Sequence, residues 1–303
     1  MKFGVWIPSV RQHARADVIR RAIVQAERLG YDSIWTIDHI IAPRRDAVQF
    51  GLVYDPLIVL ALAAGLTERV MLGVSVLVLP YRHGVLTAKM IASLDDLSAG
   101  RVILGVGAGW NATESAILGL PFEQRGPMTD EWLRVMRELW TNPAPRFEGA
   151  FTRFADVDFR PAPVQRPHPP IWVGGHSPAA LRRTAEFGDA WHPINRTVDE
   201  LRAGWAAIER LCERLGRDRP PLLAPRMDAR LVVDKGGFPA STHSGQPIEG
   251  TPEQLAEQIE ALRRLGAGHV VLEFLGRDVE HYMTQLEVFA REVLPRFAAT
   301  SPA

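Results

Sequence analysis

The side chains able to do chemistry gather where short apolar runs end. Gly174-Gly175-His176-Ser177-Pro178 follows the run Ile171-Trp172-Val173. The two glycines keep side chains away from the backbone. Ser177 is a good helix N-cap, and Pro178 suits a first helical position, where no N–H is needed. Bare amides at a helix start carry partial positive charge and make an anion site, suited to a phosphate. The same residues also make an ordinary capped strand-to-helix turn, and from this stretch alone the two readings stand side by side. Asp38-His39 closes a second apolar run. An imidazole there can exchange a proton near neutral pH, and Asp38 can orient or hydrogen-bond a ligand; a histidine satisfied by its neighbours is the plain alternative. Gly105-Val106-Gly107-Ala108-Gly109-Trp110-Asn111 closes a third run. It is no dinucleotide fingerprint, because the third glycine of G-x-G-x-x-G would fall on Trp110. Alternate glycines do let a flat ring lie against backbone, and Asn111 offers both donor and acceptor. Glu114, Asp228 and Glu273 offer a glycosidase-like carboxylate pair, but such an enzyme has no need of a glycine-lined anion site. The motif H-E-x-x-H is absent, and Asp38-His39 is the one close His/Asp pair of ligand spacing, so no metal site is expected.

One site can use these ends only if the elements bring them to one rim. Apolar runs at 3–7, 33–37, 70–77, 101–106, 171–173, 189–192, 226–233 and 269–274 read as strands. Helical spacing covers 17–29, 55–65, 83–97, 111–118, 126–140, 178–187, 198–215, 251–265 and 279–297. Thr251, with Gln254 three residues on, predicts a capping box. Eight strands alternating with helices predict a TIM (β/α)8 barrel over residues 1–303 as one domain, with the doubly wound sheet as the alternative. In a barrel, chemistry belongs to the loops after the strands. Residues 141–170 break the rhythm with Phe147, Phe151, Phe154, Val157 and Phe159 among prolines, which predicts an inserted hairpin or extended segment before strand five. The Gly/Ser/Pro-rich stretch 234–250 predicts a mobile loop, either a lid over substrate or a surface excursion.

Lys plus Arg number 35 and Asp plus Glu 35, so no basic surplus points to nucleic acid or a membrane surface. Cys212 is the single cysteine, which leaves no intrachain disulfide. The chain opens directly on a strand pattern without a signal peptide. Its apolar runs fall short of the ~20 residues of a membrane span. The expectation is a cytoplasmic protein. The apolar helices at 56–66 and 85–97 either make a dimer face or pack on the barrel.

The set of motifs resembles the luciferase-like monooxygenase superfamily, which includes bacterial luciferase and the F420-dependent oxidoreductases. The matching pieces are Phe3-Gly4-Val5, Ser33-Ile34-Trp35-Thr36-Ile37-Asp38-His39, and Leu94-Asp95-Asp96-Leu97-Ser98-Ala99-Gly100-Arg101 leading to Gly105 through Asn111. Pro170-Ile171-Trp172-Val173-Gly174-Gly175 and Gly188-Asp189-Ala190-Trp191 complete them. The resemblance implies a barrel, a homodimer, and F420 or FMN as cofactor. It implies a cofactor phosphate at Gly174, Gly175, His176 and Ser177. It implies a ring packed on the end of strand three, at a non-proline cis peptide between Ser75 and Val76, with Gly107 and Asn111 facing the ring or its ribityl chain. It further implies His39 as the acid or base, with Asp38 beside it. Trp110 stands where the sugar-phosphate dehydrogenase branch has a glutamate, so a sugar phosphate is not the expected substrate. Trp6, Trp110 and Trp191 suggest an apolar pocket, or core. The expected function is F420-dependent hydride transfer with a small, apolar organic substrate. The alternatives are an FMN-dependent monooxygenase, its reduced flavin supplied by a separate reductase, and a non-catalytic cofactor-binding barrel.

Overall fold

A parallel sheet curls until its two ends meet, and nearly every strand residue is buried. The computed structural model describes residues 1–46, 50–239 and 245–298. The strands are β1 (Lys2–Trp6), β2 (Ser33–Thr36), β3 (Met71–Val74), β4 (Leu77–Val78), β5 (Val102–Gly107), β6 (Phe147–Glu148), β7 (Arg153–Phe154), β8 (Ile171–Gly174), β9 (Ala190–His192), β10 (Leu222–Leu223), β11 (Arg226–Leu231), β12 (Ile248–Gly250) and β13 (His269–Phe274). The α-helices among the described residues are α1 (Ala16–Arg28), α2 (Pro56–Leu66), α3 (Gly84–Leu97), α4 (Ala112–Ile117), α5 (Arg125–Thr141), α6 (Pro178–Phe187), α7 (Val198–Arg214), α8 (Pro252–Arg264) and α9 (Val279–Glu292).

Strand order runs β10-β9-β8-β5-β3-β2-β1-β13-β11-β12, with β4 paired to β5. β10 and β11 are one chain segment bent at Ala224-Pro225, and that bend closes the barrel. Its lower half pairs with β9, and the amide of Arg226 then bonds the Pro193 carbonyl at 2.8 Å, while the Asn195 amide bonds the Arg226 carbonyl at 2.9 Å. Parallel strands covered by helices on one face and filled by side chains on the other read as continuous apolar runs, which is why they were legible.

The helices follow their local chemistry. α1 buries Val18, Ile19, Ala22, Ile23 and Ala26 on one stripe and stops before Gly30, whose φ is +85°. α2 starts at Asp55, whose carboxylate accepts from the amides of Leu57 and Ile58, with Pro56 at the first helical position. The expected capping box of Thr251 and Gln254 is present on α8, and a second, Thr197 with Glu200, starts α7.

The expected insertion holds a short antiparallel hairpin, β6 with β7, whose turn is pinned by the carboxylate of Glu131 on the amides of Ala150, Phe151 and Thr152. The stretch 234–250 departs from the expectation of a loop throughout. Residues 248–250 form β12, parallel to β11, because Ile248 has an apolar site to fill and the edge amides of β11 need partners. Residues 240–244 lie outside the described residues. β3 stops at Val74, and after Ser75 and Val76 pairing resumes at Leu77 in β4, on β5.

Candidate active site

At the C-terminal ends of β2, β5, β8 and β9, and around the β3–β4 junction, lies a cavity of about 490 Å³. Asp38, His39, Ser75, Val76, Gly107, Gly174, Gly175 and Ser177 all line it. Asn111 and His176 do not. The Asn111 side chain is 3% exposed and caps α4, accepting from the amides of Thr113 and Glu114 at 3.1 Å each, while His176 faces solvent.

His39 is held by a partner that the sequence offered only as a glycosidase carboxylate. Its Nδ1 lies 2.8 Å from Oε2 of Glu114, a side chain with no solvent exposure. The same carboxylate accepts from the Tyr81 hydroxyl at 2.8 Å and from the amides of Ile40 and Ile41 at 2.6 and 3.1 Å. Burial acts to raise this carboxyl, but the bonds from His39, Ile40 and Tyr81 outweigh it and hold it below its ordinary value. An ionised carboxylate only accepts, so His39 Nδ1 carries a proton and Nε2 is the nitrogen left for the cavity. The imidazole packs on Phe50, with centroids 4.1 Å apart, and edges onto Trp110 at 5.9 Å. A signal for Glu114 existed. Asn111 and Glu114 have capping-box spacing, which fixes where the glutamate starts. Its side chain leaves the box and reaches the loop after β2, a contact across 75 residues of chain.

Asp38 lines the cavity, but its oxygens are committed elsewhere. They accept from the Val78 amide at 2.9 Å and from both Arg82 nitrogens at 2.7 and 3.0 Å, while Arg82 also bonds Asp55 at 2.8 Å. Burial raises the Asp38 carboxyl against the pull of Arg82. Its place is to tie β2 to β4 beneath the site.

The Ser75–Val76 peptide is cis. It puts the Val76 side chain against Gly107 and Gly174. A Cβ on Gly107 would come within 2.6 Å of Val76 Cγ2, one on Gly174 within 2.7 Å of Val76 Cγ1, and one on Gly105 within 1.9 Å of the Val74 carbonyl. The glycines make room for Val76 and the β3–β4 backbone, and Val76 in turn lines the cavity.

The far end of the cavity is lined by Gly174, Gly175, Ser177, Ala180 and Arg183. Gly175 has φ +94°, and its carbonyl is held by Trp191 Nε1 at 2.8 Å. Ser177 caps α6 by accepting from the Ala180 amide at 3.2 Å. One turn further, Arg183 lines the same end; its side chain is 5% exposed and its Nε bonds Asp130 at 2.6 Å. It stands three residues after Ala180, which lines the cavity too, so the two share a helix face. At the barrel centre, Arg226 lies with its guanidinium 3.2 Å from the Trp6 ring centroid and bonds Glu273. Burial lowers the Arg226 pKa to about 10, against the pull of Glu273 and Asp228, and its Nε has no partner among the described residues.

Among the described residues no group of three or more His, Cys, Asp and Glu is placed to hold a metal ion, and no helix is long and apolar enough to cross a membrane. Residues 1–236 match the family model described as luciferase-like monooxygenase. The chain is 26% identical over 356 residues to an FMNH2-dependent dimethylsulfone monooxygenase of Pseudomonas putida, covering 97% of this chain and 94% of that protein. It is 26% identical over 334 residues to an F420-dependent glucose-6-phosphate dehydrogenase of Amycolatopsis mediterranei (strain U-32), covering 96% and 97%. The crystal structure of the monooxygenase RslO1 from Streptomyces bottropensis superposes with a TM-score of 0.83 at 21% identity, over 98% of this chain and all of that one. Together with the barrel and its rim cavity, the match over most of the chain's length places this protein in the luciferase-like monooxygenase family.

Proposed function

We propose that the protein is an F420-dependent oxidoreductase that moves a hydride between the deazaflavin and a small, apolar organic substrate. The carrying observation is the His39–Glu114 pair beside a cavity that Gly174, Gly175, the α6 cap Ser177 and Arg183 also line. Membership of a family of oxidoreductases and monooxygenases supports redox chemistry, and its relatives use F420 or FMN.

The residues present fit such a cofactor. Gly107, Gly174 and Gly175 line the cavity without side chains of their own, and the buried Arg226 Nε is a donor with no described partner on the cavity wall. Gly174, Gly175, Ser177 and Arg183 would hold the phosphate; Ser75, Val76 and Gly107 would back the ring. When bound, the deazaflavin supplies a two-electron hydride donor or acceptor. The chain does the rest. Neutral His39 Nε2 takes a proton from a substrate hydroxyl as hydride leaves carbon, or in the reverse direction returns it. Glu114 fixes the tautomer and steadies the imidazolium. Ile37, Phe50, Trp110 and Ile194 exclude water and favour an apolar substrate. Trp110 is 58% exposed and forms the cavity's outer lip.

The second reading is an FMN-dependent monooxygenase fed by a separate reductase, favoured by the Pseudomonas putida relative. Titrating the protein with F420 and with FMN, read by tryptophan fluorescence, separates the two. F420 binding at micromolar concentration with an FMN response at least tenfold weaker supports the first; FMN alone supports the second; silence from both refutes each. His39→Ala is expected to lose turnover by ~10²–10⁴ while keeping cofactor, which a non-catalytic binding barrel would not show. We further propose that the chain acts as one domain and as a cytoplasmic homodimer through the outer faces of α2 and α3, where Ile58, Leu86 and Leu97 are 67%, 53% and 78% exposed.

A further inference from the structure

Ser75 and His192 both line the cavity, although they are only 6% and 3% exposed. Ser75 Oγ lies 2.8 Å from His192 Nε2, and His192 Nδ1 lies 2.6 Å from the Ala224 carbonyl. A carbonyl can only accept, so Nδ1 must carry a proton. The ring packs on Trp35, stacked at 5.1 Å, and on Trp172, tilted at 5.4 Å, and turning it over to exchange its nitrogens would break the contacts to both Ser75 and Ala224. The charged or titratable groups facing it are Arg226 on β11 and His269 on β13. Burial, with Arg226 adding to it, lowers the His192 pKa to about 4, so at neutral pH the ring is neutral and Nε2 is a bare lone pair.

We propose that His192 is a positioning residue: by accepting the hydrogen bond of the Ser75 hydroxyl it leaves the Ser75 oxygen able only to accept from the cavity, which selects a bound heterocycle that turns an N–H towards this wall. The inference rests on the proposed cofactor reading for the identity of the heterocycle, but not for the polarity of Ser75. The site thus carries two different polar contacts. His39 can give or take a proton, while Ser75 presents a fixed acceptor. A ligand with a ring nitrogen lone pair at that place would meet a second lone pair and be rejected, because an unmatched buried acceptor costs more than a matched one returns.

Two measurements test this. In uniformly ¹⁵N-labelled wild-type protein without ligand, the His192 ring nitrogens should report a protonated Nδ1 and an unprotonated Nε2 at pH 7. A protonated Nε2 would overturn the proposal. In the second, F420 and FMN are titrated against wild type, Ser75→Ala, His192→Leu, His192→Gln and the double variant Ser75→Ala/His192→Leu. Ser75→Ala should weaken binding of whichever cofactor wild type takes by about 5- to 10-fold, the size of one hydrogen bond. His192→Leu should weaken it as well, His192→Gln should recover it through its amide oxygen, and the double variant should be no weaker than Ser75→Ala. Additive losses, or a His192→Gln as weak as His192→Leu, would assign His192 to packing alone and overturn the proposal. If wild type binds neither cofactor while the ¹⁵N pattern is as expected, the functional reading fails and the polarity of Ser75 stands.

Discussion

Replacing Glu114 with glutamine keeps the side chain's volume and removes its charge, and the native geometry fixes how the new amide must lie. Two donors converge on each oxygen: His39 and Tyr81 on Oε2, the amides of Ile40 and Ile41 on Oε1. Backbone amides cannot turn away, so the new amide oxygen must stay with Ile40 and Ile41. Its NH2 then faces His39 and Tyr81. Tyr81 can rotate its hydroxyl, but His39 can accept at Nδ1 only by moving its proton to Nε2. Neutral imidazole then meets the cavity as a donor and no longer as a base. Because the ring stays in place and only the base form is lost, turnover in the alcohol-oxidising direction should fall by ~10²–10⁴. Glu114 does not line the cavity, so cofactor affinity should hold within about 3-fold, or ~0.7 kcal/mol. Exchanging charged for neutral hydrogen bonds weakens each by ~1 kcal/mol, partly offset by relief of a buried charge, so stability should fall by about 1–2 kcal/mol. The assay is F420 absorbance during turnover, with urea unfolding and the ¹⁵N pattern of His39 as companions. Turnover within about 3-fold of wild type, with Nδ1 still protonated, would refute the reasoning.

Arg183→Met should weaken FMN or F420 binding by ~10- to 100-fold, from the loss of one charge-assisted contact, yet leave riboflavin, which lacks the phosphate, unchanged; equal losses for both would remove Arg183 from the anion end. Gly107→Ala forces a Cβ onto Val76 and should cost ~1–3 kcal/mol of stability, while Gly107→Ala/Val76→Ala should recover part of it; urea midpoints of both variants decide. Stability should also fall with acid. Burial lowers His192 and His269 to about 4 and about 3, below their unfolded value of 6.5. The unfolded chain therefore binds the extra protons, and the stability these groups contribute is complete above pH 6.5 and lost as pH falls towards 4 and 3. Between pH 6.5 and 4.5 the two together should remove about 4 kcal/mol, measurable by urea unfolding at the two pH values. A flat profile would mean that neither ring is held neutral by the fold, and half the loss that only one is. Asp38→Asn leaves the buried Arg82 short of its bidentate partner and should destabilise by ~3–5 kcal/mol; a smaller loss in urea unfolding, with weaker cofactor binding, would make Asp38 a ligand contact and not an anchor.

The strands and helices were legible because each carries its own signal. Buried parallel strands are unbroken apolar runs, helices show a 3.6-residue stripe, and Ser177, Thr251 and Asp55 mark helix starts by chemistry confined to one turn. The glycine-rich ends of β5 and β8 were equally visible, and so was the position of His39 after β2. What those residues touch was not visible. The partner of His39 comes from 75 residues away, and the partner of Ser75 from 117. Such pairs depend on how barrel closure sets neighbouring strand ends side by side, and no local pattern encodes that distance. The same holds for Gly107 and Gly174, whose small size serves Val76 from another strand end. It holds for Asn111, which the sequence offered as a ligand contact and the fold spends on a helix cap. Residue type and local spacing thus named the groups available for chemistry. Only the closed barrel decided which of them share a hydrogen bond, which carry a proton, and which merely hold the wall in place, because those properties belong to contacts between strands and not to the chain's own neighbours.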